Sequence, residues 1–118
     1  MAPSSPCDSL TLARMAINTI TDKKGLEIIA YDMQKQSAIT DCIVIASAQN
    51  APHLKALFNA TYLRFKENGL LCFRQSGTHN SGWIMADYFD VIIHLFLPET
   101  RKYYDLDQLL QDMPQIRG

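Results

Sequence analysis

Hydrophobic and polar positions alternate along this chain with two periods, one helical and one extended, and the changeovers between them mark the elements. From Ser9 the spacing is helical: Leu10, Ala13, Ile17 and Ile20 fall on one face. Ser9 or Asp8 can cap the start, and Lys23-Lys24-Gly25 closes the end. Leu26–Asp32 is short and rich in branched side chains, which predicts a strand. After a polar stretch over 33–40, residues 41–48 (DCIVIASA) form an unbroken apolar run of strand length, the pattern of a central strand covered on both faces. Asn50 then caps a second helix whose first turn tolerates Pro52, because that amide has no helical partner. Leu54, Leu57, Phe58, Thr61, Tyr62 and Phe65 recur at helical steps, Lys55, Asn59, Lys66 and Glu67 face outward, and Gly69 ends the helix.

Beyond it, residues 70–74 read as a short edge strand and 75–82 (QSGTHNSG) as a loop by composition. Residues 83–97 predict a hairpin turning near Tyr88-Phe89, with Pro98 stopping its second strand. A helical turn over 99–104 follows. Asp105 is expected to cap a last helix that ends at Leu109 or Leu110, before Pro114. The order αββαβββα predicts an α/β single domain, a mixed β-sheet packed with helices.

The hairpin is the most informative segment. Val91, Ile93, Leu95 and Leu97 form one apolar face, which belongs to the core. Asp90, Ile92, His94 and Phe96 form a mixed face. A two-residue loop that pairs Asp87 with Asp90 sets Met85 beside Ile92 and Trp83 beside His94. Aromatic anchors among a few polar groups compose a protein-binding face. The plainer reading is that a helix covers this face and His94 is a satisfied core histidine. Pattern alone leaves both open.

Charge sharpens the picture locally. The 118 residues have a net charge of −1, so attraction to bare nucleic acid does not dominate and no direct DNA binding is expected. Residues 83–112 hold six acids (Asp87, Asp90, Glu99, Asp105, Asp107, Asp112) and two bases (Arg101, Lys102), a balance of −4. One acidic surface there would favour a basic partner, unless the charges are only solvated turn and helix positions. Cys7, Cys42 and Cys72 are odd in number and widely separated, which suits thiols in a reducing compartment rather than disulfides. The first residues lack the pattern of a secretory signal, and the apolar runs are too short to span a bilayer. A soluble, cytoplasmic protein is expected.

Chemistry is hard to find. His53, His79 and His94 have no partner at metal-ligand spacing, no Gly-x-Ser-x-Gly is present, and residues 77–82 lack the lysine of a phosphate loop. The α/β order is similar to the minimal nucleotidyltransferase fold, whose chemistry needs two carboxylates on one strand face. The one Asp-x-Asp, Asp105-Leu106-Asp107, stands where a helix cap is expected. The expectation is therefore no enzyme, no cofactor and no metal; the alternative is a nucleotidyltransferase-like enzyme using Asp105 and Asp107.

Several segments, in order, resemble the Iojap-like ribosomal silencing factors: Asp22-Lys23-Lys24-Gly25, the run 40–46 (TDCIVIA), 82–85 (GWIM), 86–96 (ADYFDVIIHLF) and 97–106 (LPETRKYYDL). The resemblance runs from about Leu10 to Pro114. Pro3, Ser4, Ser5 and Pro6 predict a flexible lead-in over 1–8, and the silencing-factor domain is expected over 9–114 with a tail over 115–118. The resemblance implies binding to ribosomal protein fourteen of the large subunit, on the face that meets the small subunit. Such binding keeps the subunits apart and lowers translation when nutrients are scarce. Homodimers are common among isolated members, so a homodimer, or a purely dimeric regulatory domain, is the further alternative; organellar relatives act in ribosome assembly. Trp83, Asp87, Tyr88, His94, Phe96, Glu99, Arg101 and Tyr104 stand at the family's characteristic positions and are the expected partner surface. Pro98 and Leu106 are expected as framework, and Asp41 as a brace for the central strand. Four positions depart from the family pattern: Cys42 for an aromatic residue, Ala48 for a glycine, Pro52 for an arginine and Phe89 for a frequent glycine. Altered turns are expected where glycine is lost.

Overall fold

A computed structural model describes residues 8–34 and 40–116. The expected lead-in, except for Asp8, most of the polar stretch and the last two residues of the expected tail lie outside them. Helix α1, Ser9–Asp22, starts where its cap is: the Asp8 carboxylate accepts from the Thr11 amide at 2.8 Å. That backbone hydrogen bond holds the Asp8 carboxyl below its ordinary pKa. The buried stripe is Leu12, Ala13, Ala16 and Ile20, whereas Leu10 and Ile17 are only half-buried. The two alanines let the helix axis approach the sheet closely, which puts the larger neighbours at the rim. Helix α2, Ala51–Glu67, is capped by Asn50, whose side chain accepts from the His53 amide at 2.9 Å. It buries Leu54, Leu57, Thr61 and Phe65, while Tyr62 stays 38% exposed at the edge of the expected stripe.

Between these helices and the C-terminal segment lies one six-stranded sheet. Its strands are β1 Leu26–Asp32, β2 Cys42–Ser47, β3 Arg74–Thr78, β4 Trp83–Asp87, β5 Val91–Phe96 and β6 Gln115–Ile116, in the order β3-β4-β5-β2-β1-β6. β2 and β5 run parallel; every other neighbouring pair is antiparallel. The mixed α/β sheet is thus the expected class. One face packs Val44, Ala46, Val91, Ile93 and Leu95 against α1 and α2. Tyr31, Met33, Ile45 and Phe96 form a second cluster on the opposite face, with Leu106, Leu110 and Met113 packed on it from the C-terminal segment. That segment contains α3, Pro98–Tyr104, and α4, Leu106–Leu109. Asp41 accepts from the Ser9 hydroxyl at 2.5 Å, so it ties the entry of β2 to the start of α1.

The structure differs from the sequence expectation in four places. The edge strand is β3, Arg74–Thr78, not 70–74, and it takes up half of the expected loop. All five of its residues are exposed, so no hydrophobic period marks it. Its ladder with β4 fixes it instead, and Gly77, at φ +81, sits where a Cβ would collide with the Trp83 carbonyl. The hairpin turn is Phe89-Asp90, one residue later than expected, so Asp87 pairs with Ile92, Met85 with His94 and Trp83 with Phe96. Because the partner shift is two residues, every side chain keeps its face. Asp105 makes no capping bond with its side chain. It ends α3 in the left-handed region, at φ 52, with its amide donating to the Arg101 carbonyl. Gln115 and Ile116 of the expected tail pair with Tyr31 and Ala30. A two-residue strand is too short to show a period.

Candidate functional site

Trp83 organises the mixed face. At the first position of β4 its half-buried ring stacks on Phe96 across the ladder, with centroids 5.1 Å apart and planes 23° apart. Tyr104, at the end of α3, closes on it from the side at 4.5 Å. The indole Nε1 donates to Nδ1 of His94 at 3.1 Å. An indole can only donate, so Nδ1 accepts and the imidazole proton sits on Nε2. His94 is 9% exposed, and burial pushes its pKa down to about 4. It is a neutral core histidine beneath the half-buried Trp83 ring.

Helix α3 stands over this face because Gly82 lets it. A Cβ at Gly82, at φ +80, would run into the Thr100 side chain, and the Gly82 carbonyl accepts from the Leu97 amide at 2.9 Å. The lock behind the helix is Arg101. Its guanidinium is buried and donates from Nε and Nη2 to the two oxygens of Asp107 at 2.9 and 2.8 Å. Its Nη1 reaches the Glu27 carbonyl at 2.7 Å and the Ser47 hydroxyl at 2.9 Å. Glu27 lies at φ 46 within the register irregularity of β1, which helps turn that carbonyl out of the ladder toward the guanidinium. Hydrogen bonding to Arg101 holds the Asp107 carboxyl below its ordinary pKa. The Asp105-x-Asp107 pair therefore offers no joint site for a cation: one carboxylate is engaged by arginine, and the other belongs to a turn. Among the described residues no group of three or more His, Cys, Asp or Glu could hold a metal. Burial pushes the Cys42 thiol up to about 12, which keeps it protonated.

Between β3–β4 and α3 lies a groove of about 710 Å³. Ser76, Trp83 and Met85 line it from the sheet, and Glu99, Tyr103 and Tyr104 from the helix. Of the eight expected residues the structure gathers Trp83, Glu99 and Tyr104 here. His94 and Phe96 lie buried beneath Trp83, and Arg101 is buried behind the helix. Asp87 is buried at the far end of β4, where its Oδ1 accepts from the Phe89 amide at 2.8 Å and its Oδ2 lies 3.5 Å from Arg74. Tyr88 is on the opposite face, buried against Phe65 with ring centroids 4.5 Å apart. Sequence reasoning passed over Tyr103, which is 81% exposed at the groove mouth. The signal was present: Glu99 and Tyr103 are four residues apart, as are Thr100 and Tyr104, so each pair shares a side of one helix.

Residues 6–118 match the model of the family described as "Ribosomal silencing factor during starvation". The chain belongs to this family. It is 31% identical over 98 residues to the ribosomal silencing factor of Chromobacterium violaceum, an alignment spanning 83% of this chain and 80% of that protein. A crystal structure of a Chromobacterium violaceum protein superposes with a TM-score of 0.82 at 31% identity, covering 87% of this chain and 86% of that one. The mouse "Mitochondrial assembly of ribosomal large subunit protein 1" is 27% identical over 100 residues, 80% of this chain and 43% of that protein. Within the family fold, the left-handed Phe89, at φ 69, keeps a turn of the kind for which glycine is suited. No helix among the described residues is long and apolar enough to cross a membrane.

Proposed function

We propose that this chain binds the large ribosomal subunit through its ribosomal protein fourteen and blocks joining of the small subunit, repressing translation under nutrient limitation. Family membership over residues 6–118 carries the reading. The groove supports the reading, because Trp83, Glu99 and Tyr104 lie within the run 82–106 that resembles the family and open to solvent together. Its action is steric, by occupying a surface, and uses no cofactor. The acidic bias of residues 83–112 favours a basic ribosomal protein and accelerates encounter at low salt.

Co-sedimentation with purified large subunits at near-physiological salt tests this, followed by a subunit-joining assay. Wild-type protein is expected to pellet with large subunits and to lower the yield of joined ribosomes. Trp83→Ala and Tyr104→Ala are expected to weaken both effects while the fold is retained. No binding by the wild type would sink the reading. A homodimer that uses the same groove would compete with the ribosome, and a dilution series followed by light scattering reads that competition directly.

A further inference from the structure

We infer that the outer side of the α1–α2 layer is a second contact surface, one that takes the phosphate backbone of RNA. The net charge of the chain hides how unevenly its charges are placed. Six of the eleven lysines and arginines stand on α1, on α2 and in the turn after α1: Arg14, Lys23, Lys24, Lys55, Arg64 and Lys66. Three acids accompany them, Asp8, Asp22 and Glu67, so this layer has a balance of +3 and the rest of the chain one of −4. All six bases are exposed. Among the described residues Lys23, Lys24, Lys55, Arg64 and Lys66 form no ion pair, whereas Arg74 and Arg101 each have one.

His53 sets the geometry of the layer. Its Nδ1 accepts from the Gln49 amide at 2.9 Å, so its Nε2 donates to the Lys23 carbonyl at 2.7 Å and fastens the start of α2 to the end of α1. Both helices line one groove of about 890 Å³, so they run antiparallel. Lys23 rims this groove at the end to which Lys24 and Lys55 belong; Arg14 and Arg64 rim the other, with Lys66 close in sequence. From Lys55 to Arg64 the helix rises about 13 Å. A duplex carries one phosphate per strand for about every 3.4 Å of its axis, so about four phosphates of one strand face that length.

The lining favours this occupant over the other anionic surfaces. Asn18, Asn59 and Thr11 add amide and hydroxyl groups to the basic ends, and apolar side chains are a minority. A docked helix needs an apolar groove, and a membrane surface needs an apolar helix face to bury. Nucleic-acid contacts are polar, positively charged and hydrated. Asp22 at one end, and Glu67 and Asp8 at the other, are outnumbered by the bases there, so they lower the affinity without reversing the field. The surface lies on the sheet face opposite Trp83, so a protein contact there and an RNA contact here can be made at once. The choice of ribosomal RNA rests on the ribosomal reading, but the charge pattern does not.

The probe is a short fluorescein-labelled RNA duplex, titrated with the full chain and followed by anisotropy between about 50 and 200 mM salt. Saturable binding is expected at the low end, with log K falling against log salt at a slope of about −3 to −4. Lys23→Gln with Arg64→Gln removes two exposed bases, one from each end of the groove. Affinity should fall about tenfold and the slope should become shallower by about 2, with the circular dichroism unchanged. Lys55→Gln with Lys66→Gln repeats the test on the outer turns of α2, so a folding defect in the first pair does not hide the answer. Lys102→Glu, exposed on α3, should bind RNA within about twofold of wild type. Absence of saturable binding at low salt overturns the surface, as does an unchanged slope in a folded double variant. Displacement of the duplex by polyglutamate or by anionic phospholipid vesicles at equal charge overturns the assignment to RNA. The two proposals fail separately. If large subunits do not bind while the duplex does with this charge dependence, the surface stands and the ribosomal reading falls. If large subunits bind and the duplex does not, only the surface is lost.

Discussion

Trp83 donates its only side-chain N–H to a histidine held neutral by burial, Nε1 to Nδ1 of His94 at 3.1 Å. The bond depends on that neutrality, because a proton on Nδ1 would face the indole N–H. The pKa of His94 is about 4 in the folded chain, below the ordinary value of 6.5. Between those values the unfolded chain therefore binds more protons, so stability falls as pH falls through the window. Wild type should lose about 2 kcal/mol between pH 7 and pH 5 through this group. Urea denaturation at the two pH values checks it: His94→Gln should show a drop smaller by about that amount. An equal drop in both proteins would place the pH dependence elsewhere.

Tyr88 offers a simpler test. Its hydroxyl is buried with no hydrogen-bond partner among the described residues, and burial raises its pKa far above the ordinary range. Tyr88→Phe removes that group and leaves the ring against Phe65. Stability should rise by about 0.5–1 kcal/mol in thermal or urea unfolding. Tyr88→Ala opens a core cavity instead and should cost about 3–5 kcal/mol, so it reports on folding rather than on partner binding.

Removing the lock behind α3 should be costly. Arg101→Met leaves the Glu27 carbonyl, the Ser47 hydroxyl and the Asp107 carboxylate without their donor. Asp107 is 30% exposed and recovers some hydration, so a loss of about 2–3 kcal/mol is expected rather than the full cost of a buried charge. Trp83 fluorescence should change as well, since α3 holds Tyr104 against the indole.

The β4–β5 turn carries strain that can be relieved. Phe89 lies at φ 69, and a non-glycine residue there is unfavourable by about 1 kcal/mol. Its exposed ring recovers part of this by packing on Phe73 at 4.1 Å. Phe89→Gly should therefore stabilise by about 0.5 kcal/mol in thermal unfolding. A loss of more than about 1 kcal/mol would show that the ring pair outweighs the backbone strain.

Legibility followed burial. β1, β2, α2 and the faces of the hairpin were readable because each has a buried side whose period the sequence must respect. β3 was not, since Arg74-Gln75-Ser76-Gly77-Thr78 buries nothing and is positioned only by its ladder with β4. The hairpin register slipped because a strand pattern fixes the face of a side chain, not its partner; the Asp87-to-Phe89 bond in the turn sets the partner. Within the candidate site, family position marked both contact and framework. It could not separate solvent-facing Tyr104 from buried Phe96 and Arg101, because that depends on where α3 lies over the sheet.

The sheet has a seam. β6-β1-β2 and β3-β4-β5 are each built from antiparallel neighbours, and the only parallel ladder among the described residues, Cys42 beside Val91 through Ser47 beside Phe96, joins the two halves. β1–β2 and the β3–β4–β5 meander can form from sequence neighbours, but the seam closes only after α2 and the β3–β4 hairpin are in place between its partners. Long-range pairing of this kind is slow. A nascent chain that has not yet presented Val91 therefore exposes the apolar flank of β2, a central strand temporarily at an edge, and is most prone to self-association at that stage of synthesis.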